Sequence, residues 1–174
     1  MITMQQYGKI MLLWVAMLSL CTLHAQETTI TTIGEEAEFV DLGLTSGTLW
    51  KTTNEPGYYT FAEMREQFEY SQMPTRAQLI ELVEECKWIW RGNGCEVLGR
   101  NGNSIFLPVT GFRTCDGTEK YTTSTANYWA YTASPDPDHA FVLFVSAGGY
   151  EVDMAKRCSG RAVRLVKGKA ETIL

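Results

Sequence analysis

The chain has 174 residues, is 45% hydrophobic and 20% charged, and contains 15 glycines and 5 prolines. Those values exclude collagen-like, coiled-coil and low-complexity classes and give one core of ~100–150 residues, a single domain. The formal charge is −5 and no Lys/Arg run is present, so nothing offers to neutralise a phosphate backbone and nucleic acid is not an expected partner. At the N-terminus, Lys9 precedes an apolar stretch at 10–23. As a helix that stretch spans ~21 Å, short of a ~30 Å hydrocarbon core. Lys9, the apolar run and Leu23-His24-Ala25 predict a secretory signal peptide over 1–25, cleaved to leave Gln26 at the mature N-terminus. Cys21 raises lipidation, but Leu20 stands where a lipobox needs a small residue. The expected location is secreted, periplasmic or cell-surface, with no transmembrane span in the mature chain.

Residues 26–36 are polar and Thr-rich and read as a flexible lead-in to a domain over 37–168, with 169–174 as a frayed tail. Phe39-Val40-Asp41-Leu42 and Thr48-Leu49-Trp50 predict short strands around a turn at 43–47. Thr60-Phe61-Ala62-Glu63 and Thr75-Arg76-Ala77-Gln78 are capping boxes, in which the hydroxyl and the carboxylate or amide meet orphan backbone donors at a helix start. Phe61, Met64 and Phe68 follow the first at helical spacing; Leu79, Leu82, Val83 and Cys86 follow the second. Beyond Cys86 the period changes to strand and turn. Trp88 and Trp90 alternate, Gly92-Asn93-Gly94 turns, and 95–98 and 104–107 flank Asn101-Gly102, a hairpin signal. Strands follow at 128–132, 140–146, 150–154 and 162–166, with a turn at Gly148-Gly149. Phe141, Val142, Leu143, Phe144 and Val145 are apolar on both faces and mark a central strand. The class is α+β: two helices packed on short, mainly antiparallel strands.

Catalytic signatures are sparse. Glu81, Glu84 and Glu85 read as the solvated face of the second helix, and Glu151 and Asp153 as a solvent-facing strand edge, rather than as paired carboxylates for glycoside hydrolysis. A Cys–His nucleophile would need a thiolate beside His139, whereas cysteines of an exported chain tend to be oxidised. No G-x-S-x-G, H-E-x-x-H, P-loop or G-x-G-x-x-G occurs. The reading is therefore non-catalytic, with no cofactor. The alternative is a secreted, carbohydrate-active enzyme.

Several segments, in order, carry a resemblance. They are Phe39-Val40-Asp41-Leu42-Gly43-Leu44 with Ser46-Gly47-Thr48-Leu49-Trp50; Met73-Pro74-Thr75; and Asn101-Gly102-Asn103-Ser104-Ile105-Phe106-Leu107-Pro108 with Gly111-Phe112-Arg113. Tyr128-Trp129 and Gly160-Arg161-Ala162-Val163-Arg164-Leu165-Val166 complete the set. Over about 38–167 the chain resembles the Fibrobacter succinogenes major paralogous domain family. The resemblance implies a C-type-lectin-like fold, distantly like formylglycine-generating enzymes, and an exported or surface protein; it implies no established activity, and it adds a secreted enzyme of that distant formylglycine-generating-like type to the alternative reading. The Glu-Pro-Asn and Trp-Asn-Asp motifs of calcium-dependent lectins are missing. Pro135-Asp136-Pro137-Asp138 supplies two carboxylates where calcium needs about six to eight oxygens, so a solvated turn is expected and no metal.

In lectin-like folds the loops near the C-terminal strands carry the ligand site. Here they hold Tyr128, Tyr131, Asp136, Asp138, His139, Tyr150 and Lys156, the candidate surface for a protein or glycan ligand. If the chain is a target of a diversity-generating retroelement, as its lectin-like resemblance allows, 128–157 is the diversified surface. Trp50, Trp88 and Trp90 are expected in the core, and Arg161 and Arg164 beside acids such as Asp41. Four cysteines follow the leader: Cys86, Cys95, Cys115 and Cys158. They form no CxxC, and His139 alone cannot complete a Cys₂His₂ zinc site. Three disulfide connectivities are possible. Cys86–Cys95 closes a short loop between helix end and strand start, and a lectin-like fold brings Cys115 to Cys158, so this pairing is preferred; four free, buried thiols are the rival.

Overall fold

Thr60 and Thr75 set the two helices. In the computed structural model, which describes residues 39–168, the Thr60 hydroxyl accepts from the Glu63 amide and the Glu63 carboxylate accepts from the Thr60 amide, opening α1 (Phe61–Gln67). Phe61 and Met64 are its buried residues, and the helix ends where Phe68 turns extended. A single 3₁₀ turn, Tyr70–Gln72, then leads to buried Met73. Gln78 closes the second box by accepting from the Thr75 amide at 2.9 Å and opens α2 (Arg76–Glu85). Its Nε2 donates at 2.9 Å to the buried Thr48 hydroxyl, so the cap also ties the helix to the β-structure. Thr75→Ala is expected to cost ~1 kcal/mol, with Thr75→Ser close to wild type. Urea unfolding of the two variants checks this, and equal midpoints would show that the cap contributes nothing.

The strands are β1 (Phe39–Asp41), β2 (Leu49–Lys51), β3 (Lys87–Trp90), β4 (Gly94–Leu98), β5 (Ser104–Pro108), β6 (Phe112–Arg113), β7 (Glu119–Lys120), β8 (Thr125–Ala133), β9 (His139–Ser146), β10 (Gly149–Lys156) and β11 (Val166–Lys167). They form sheets in the orders β1-β2-β11, β3-β4-β5, β6-β7 and β10-β9-β8, each pair antiparallel. The two predicted helices, the hairpin at 99–103 and the central position of β9 match the sequence; the turn expected at Gly148-Gly149 falls one residue earlier, at 147–148, because Gly149 pairs with Ser146 and opens β10. The β6–β7 hairpin and the 3₁₀ turn had no sequence expectation.

Strand β9 reads as a continuous apolar run because both of its faces are covered. On one face Leu143 and Val145 lie with Ala126, Tyr128 and Ala130 of β8 and with Leu79 and Leu82 of α2. On the other, Ala140 and Val142 lie with Trp129, Phe61, Met64 and Met73. Trp129 is the anchor there: fully buried, edge-on to Phe61, with Nε1 donating to the Tyr59 carbonyl at 2.7 Å.

Other side chains depart from expectation. The strand predicted over 162–166 is a bridge at Arg161 and Ala162 followed by the two-residue β11. Arg164 does not pair with Asp41; it is 1% exposed and donates to the Asn54 side chain and to the Lys51 and Phe106 carbonyls, each at 2.8 Å. Glu81 and Glu85 are not simply solvated, because their turn of α2 faces the β1–β2 turn. Glu81 accepts from the Ser46 amide and hydroxyl, both at 2.6 Å, and Glu85 from the Thr45 hydroxyl at 2.8 Å. The Thr45 hydroxyl above all holds the Glu85 carboxyl below its ordinary range. Trp50 is core at 1% exposure, but Trp88 and Trp90 are only half-buried.

Cys115 and Cys158 form a disulfide with Cα atoms 5.0 Å apart. Cys86 and Cys95 do not, which corrects the short-loop pairing. Register is the reason. Cys95 lies opposite Trp90, at the turn end of the β3–β4 hairpin, whereas Cys86 precedes Lys87, which lies opposite Leu98 at the other end. Four residues of strand separate them by ~13 Å, well beyond the ~7 Å limit for a bridge. Cys86 is half-buried, and burial pushes its thiol up to about 11. The predicted leader (1–25), lead-in (26–36) and tail (169–174) lie outside the described residues.

Candidate functional site

The seven predicted ligand residues do not form one patch. Tyr128 is 1% exposed: it points into the core, its hydroxyl donating to the Pro108 carbonyl at 2.9 Å and accepting from Asn54 Nδ2. It belongs to the fold and presents nothing to a ligand. Tyr150 lies near the Gly149 end of β10, with its ring stacked on Trp88 at 4.3 Å and 15°. Lys156 closes the opposite end of the same strand, ~20 Å away at strand rise. Tyr131, half-buried, packs edge-on against Tyr70 under the Arg65 guanidinium.

Asp136, Asp138, His139 and Lys156 do come together. Lys156 pairs with His139 in the β9–β10 register, and the β8–β9 loop carries the two aspartates beside them. Arg157 holds this loop. Its Nε donates to the His139 carbonyl at 2.7 Å, its Nη2 reaches the Ser134 and Asp136 carbonyls at 3.3 Å each, and its amide donates to the Asp138 carbonyl at 2.8 Å. Within the loop the Asp136 carboxylate accepts from the Asp138 amide at 2.9 Å and lies 2.7 Å from His139 Nδ1. The Asp138 amide first, then His139, hold the Asp136 carboxyl below its usual range. A His–Asp pair of this kind orients an imidazole, but among the described residues no nucleophile is hydrogen-bonded to the ring. Nor do three His, Cys, Asp or Glu side chains there come together to hold a metal ion.

On the other side of Lys156 a cleft of about 390 Å³ opens, lined by Phe112, Thr114, Cys115, Asp116, Lys156, Ser159 and Arg161. Gly160 builds it. A Cβ there would sit 3.1 Å from the Arg113 Cβ, and its absence lets Gly160 and Arg113 exchange backbone hydrogen bonds at 2.7 and 2.9 Å. The next residue, Arg161, is pinned by its own backbone pair with Tyr59, and its guanidinium lies 4.0 Å over the Phe112 ring. Arg161 is 7% exposed, and its Nε and Nη1 meet no acceptor among the described residues. It does not pair with an acid, contrary to expectation, and burial lowers its guanidinium to about 10, still charged at neutral pH. Asp116 is engaged elsewhere: the Thr114 hydroxyl, then the Thr118 amide at 3.0 Å, hold its carboxyl down at about 2.

Of the predicted set only Lys156 lines this cleft. Sequence reasoning missed Arg161, Phe112, Thr114 and Ser159; the available signal was an arginine beside the apolar Ala162-Val163. Comparison with family models, curated proteins and solved structures returns no match. Among the described residues no helix is long and apolar enough to cross a membrane.

Proposed function

We propose that this chain is an exported, non-catalytic recognition or adhesion module with a C-type-lectin-like fold, binding a protein or glycan through the β8–β9 loop and the adjoining end of β10. The carrying observation is the Arg157 clamp, which fixes the loop from three carbonyls while Asp136 and Asp138 stay exposed. A loop ordered before binding loses little entropy on capture, which favours recognition. The α+β class and the ordered run of motifs over 38–167 support the fold reading. The Cys115–Cys158 bridge is consistent with an extracytoplasmic location.

Glycan-array binding and pulldown from the native environment, with the full chain expressed for export, test the proposal. Asp136→Ala/Asp138→Ala is expected to weaken capture at least about ten-fold, the scale of losing two charge-assisted contacts. Arg91→Ala, on the β3–β4 hairpin, is expected to leave it unchanged. Turnover on a broad substrate panel that disappears in His139→Ala would overturn the reading in favour of an enzyme.

A further inference from the structure

Strand β10 is the one long sheet edge that the fold leaves open among the described residues. It lies outermost in the order β10-β9-β8, runs eight residues and keeps an unbroken register with β9. In an antiparallel edge strand every second residue turns both its N–H and its C=O away from the neighbouring strand. Among the described residues, the main chain of Tyr150–Met154 has no backbone partner outside β9. The other edges are short or covered. β1 has three residues, and β6, β7 and β11 have two each. β5 gives its Phe106 carbonyl to Arg164, and the outer side of β8 is taken by Ala162 and the Pro74 carbonyl. Edges are ordinarily blunted by proline or a bulge, and β10 has neither.

The side chains of this edge sort by face. Tyr150, Val152 and Met154 lie opposite Val145, Leu143 and Phe141, on the side that α2 covers. Tyr150 and Met154 are 39% and 48% exposed, and the Tyr150 ring is held in place by its stack on Trp88. Glu151 and Asp153 lie opposite Phe144 and Val142, on the other side. Both are exposed, and neither enters an ion pair with a described residue. The edge therefore presents an apolar row on one face and two free carboxylates on the other.

Those carboxylates choose the occupant. A second copy of β10, laid antiparallel about a two-fold centred at Val152, sets Glu151 against the copy's Asp153; centred at Asp153, it sets that residue against itself. Like charges directly opposite are destabilising, whereas a basic residue opposite either acid is favourable. We infer that the edge of β10, over Tyr150–Met154, is a docking surface for an extended segment of a partner protein in which basic and apolar residues alternate. The segment adds a fourth strand to the β10-β9-β8 sheet. Its main chain meets the outward N–H and C=O groups, its apolar residues lie beside Tyr150, Val152 and Met154, and its Lys or Arg residues lie beside Glu151 and Asp153. Lys156 ends the surface, because it repels a further basic residue. The inference goes beyond the recognition reading and does not rest on it, since that reading places capture at the β8–β9 loop and the Lys156 end of the strand.

The probe is the peptide acetyl-Thr-Val-Lys-Val-Lys-Val-Thr-amide, titrated into the ¹⁵N-labelled full chain. The other arms are the same peptide with Glu in place of Lys, and the basic peptide with its amides N-methylated. Saturable binding of the basic peptide is expected with a Kd on the order of 0.1–1 mM, shifting the amides of Tyr150–Met154 and slowing their exchange. The acidic and the N-methylated peptides are each expected to bind at least about ten-fold more weakly. Glu151→Lys/Asp153→Lys is expected to invert the preference, so that the acidic peptide binds better. Both side chains are exposed, so the fold is expected to survive; if it does not, the three peptides on the wild-type chain carry the test. Equal binding of basic and acidic peptides, equal binding of the N-methylated one, shifts confined to residues outside β10, or no binding at 5-fold above the expected range would each overturn the surface. Outer β10 amides already protected before any peptide is added would overturn it too, showing an edge filled by a second copy if dilution releases them and by the chain itself if it does not. Failure of the peptide removes this surface and leaves capture through the β8–β9 loop to its own test.

Discussion

Arg164→Ala is expected to destabilise the protein by ~3–5 kcal/mol, the largest loss from any single side chain considered. The side chain is 1% exposed and its three donors go to three separate places: Asn54, the Lys51 carbonyl at the end of β2, and the Phe106 carbonyl in β5. Removing it strands two main-chain carbonyls and the Asn54 amide oxygen, and it opens a cavity the length of an arginine. Asn54 also donates to the Tyr128 hydroxyl, so the damage reaches the β8 core. Arg164→Lys is not expected to rescue, because one ammonium cannot reach acceptors spread around a planar fork. Arg164→Met restores most of the volume without the donors, and its deficit relative to wild type isolates the hydrogen bonds. Denaturant unfolding of the three variants measures this. A loss below ~1 kcal/mol for Arg164→Ala would show that the network is dispensable.

How much of this was readable beforehand follows from the range of the forces. The capping boxes at Thr60 and Thr75 are satisfied within four residues, so the sequence carries them almost completely. The same holds for the hairpin at Asn101-Gly102 and for the doubly apolar β9, whose pattern records burial on both faces. Arg161, Arg164, Glu81 and Glu85 were misread because their partners are remote in sequence. A charged residue in a sequence reads as solvated or ion-paired by default, yet Arg164 bonds to groups 58, 110 and 113 residues away, two of them carbonyls that no sequence displays as acceptors. Tyr128 failed as a surface residue for a related reason. Along β8 the residues from Thr125 to Ala130 are all buried, so alternation gives no exposed face there; the opposite walls are set by α1 and α2. The Lys156 end of the site was legible as a cluster of loop charges, but the cleft beside it depends on the long-range pairing of Gly160 with Arg113.

Loss of the Cys115–Cys158 bridge is the second large effect expected. The two cysteines are 43 residues apart in sequence, and closing a loop of that length restricts the unfolded chain by ~4 kcal/mol in the chain-entropy model. Both residues are exposed, so Cys115→Ser/Cys158→Ser removes little packing and reports the cross-link itself. Its midpoint is expected to fall by roughly 10–15 °C, at about 3–4 °C per kcal/mol for a domain of this size. Under denaturing, non-reducing conditions alkylation is expected at Cys86 and Cys95 and absent from Cys115 and Cys158 until reductant is added; labelling of the latter pair without reductant would refute the bridge. The bridge also forms part of the Arg161 cleft wall and sits beside the Gly160–Arg113 backbone pair. In the serine variant only the Gly160–Arg113 backbone pair still joins the Thr114 and Asp116 side of the cleft to the Lys156 and Ser159 side, so faster amide exchange at Arg113 and Gly160 is expected than in wild type, even at a temperature where the variant is fully folded. Unchanged exchange in that variant would show that the backbone pair alone holds the two walls in place.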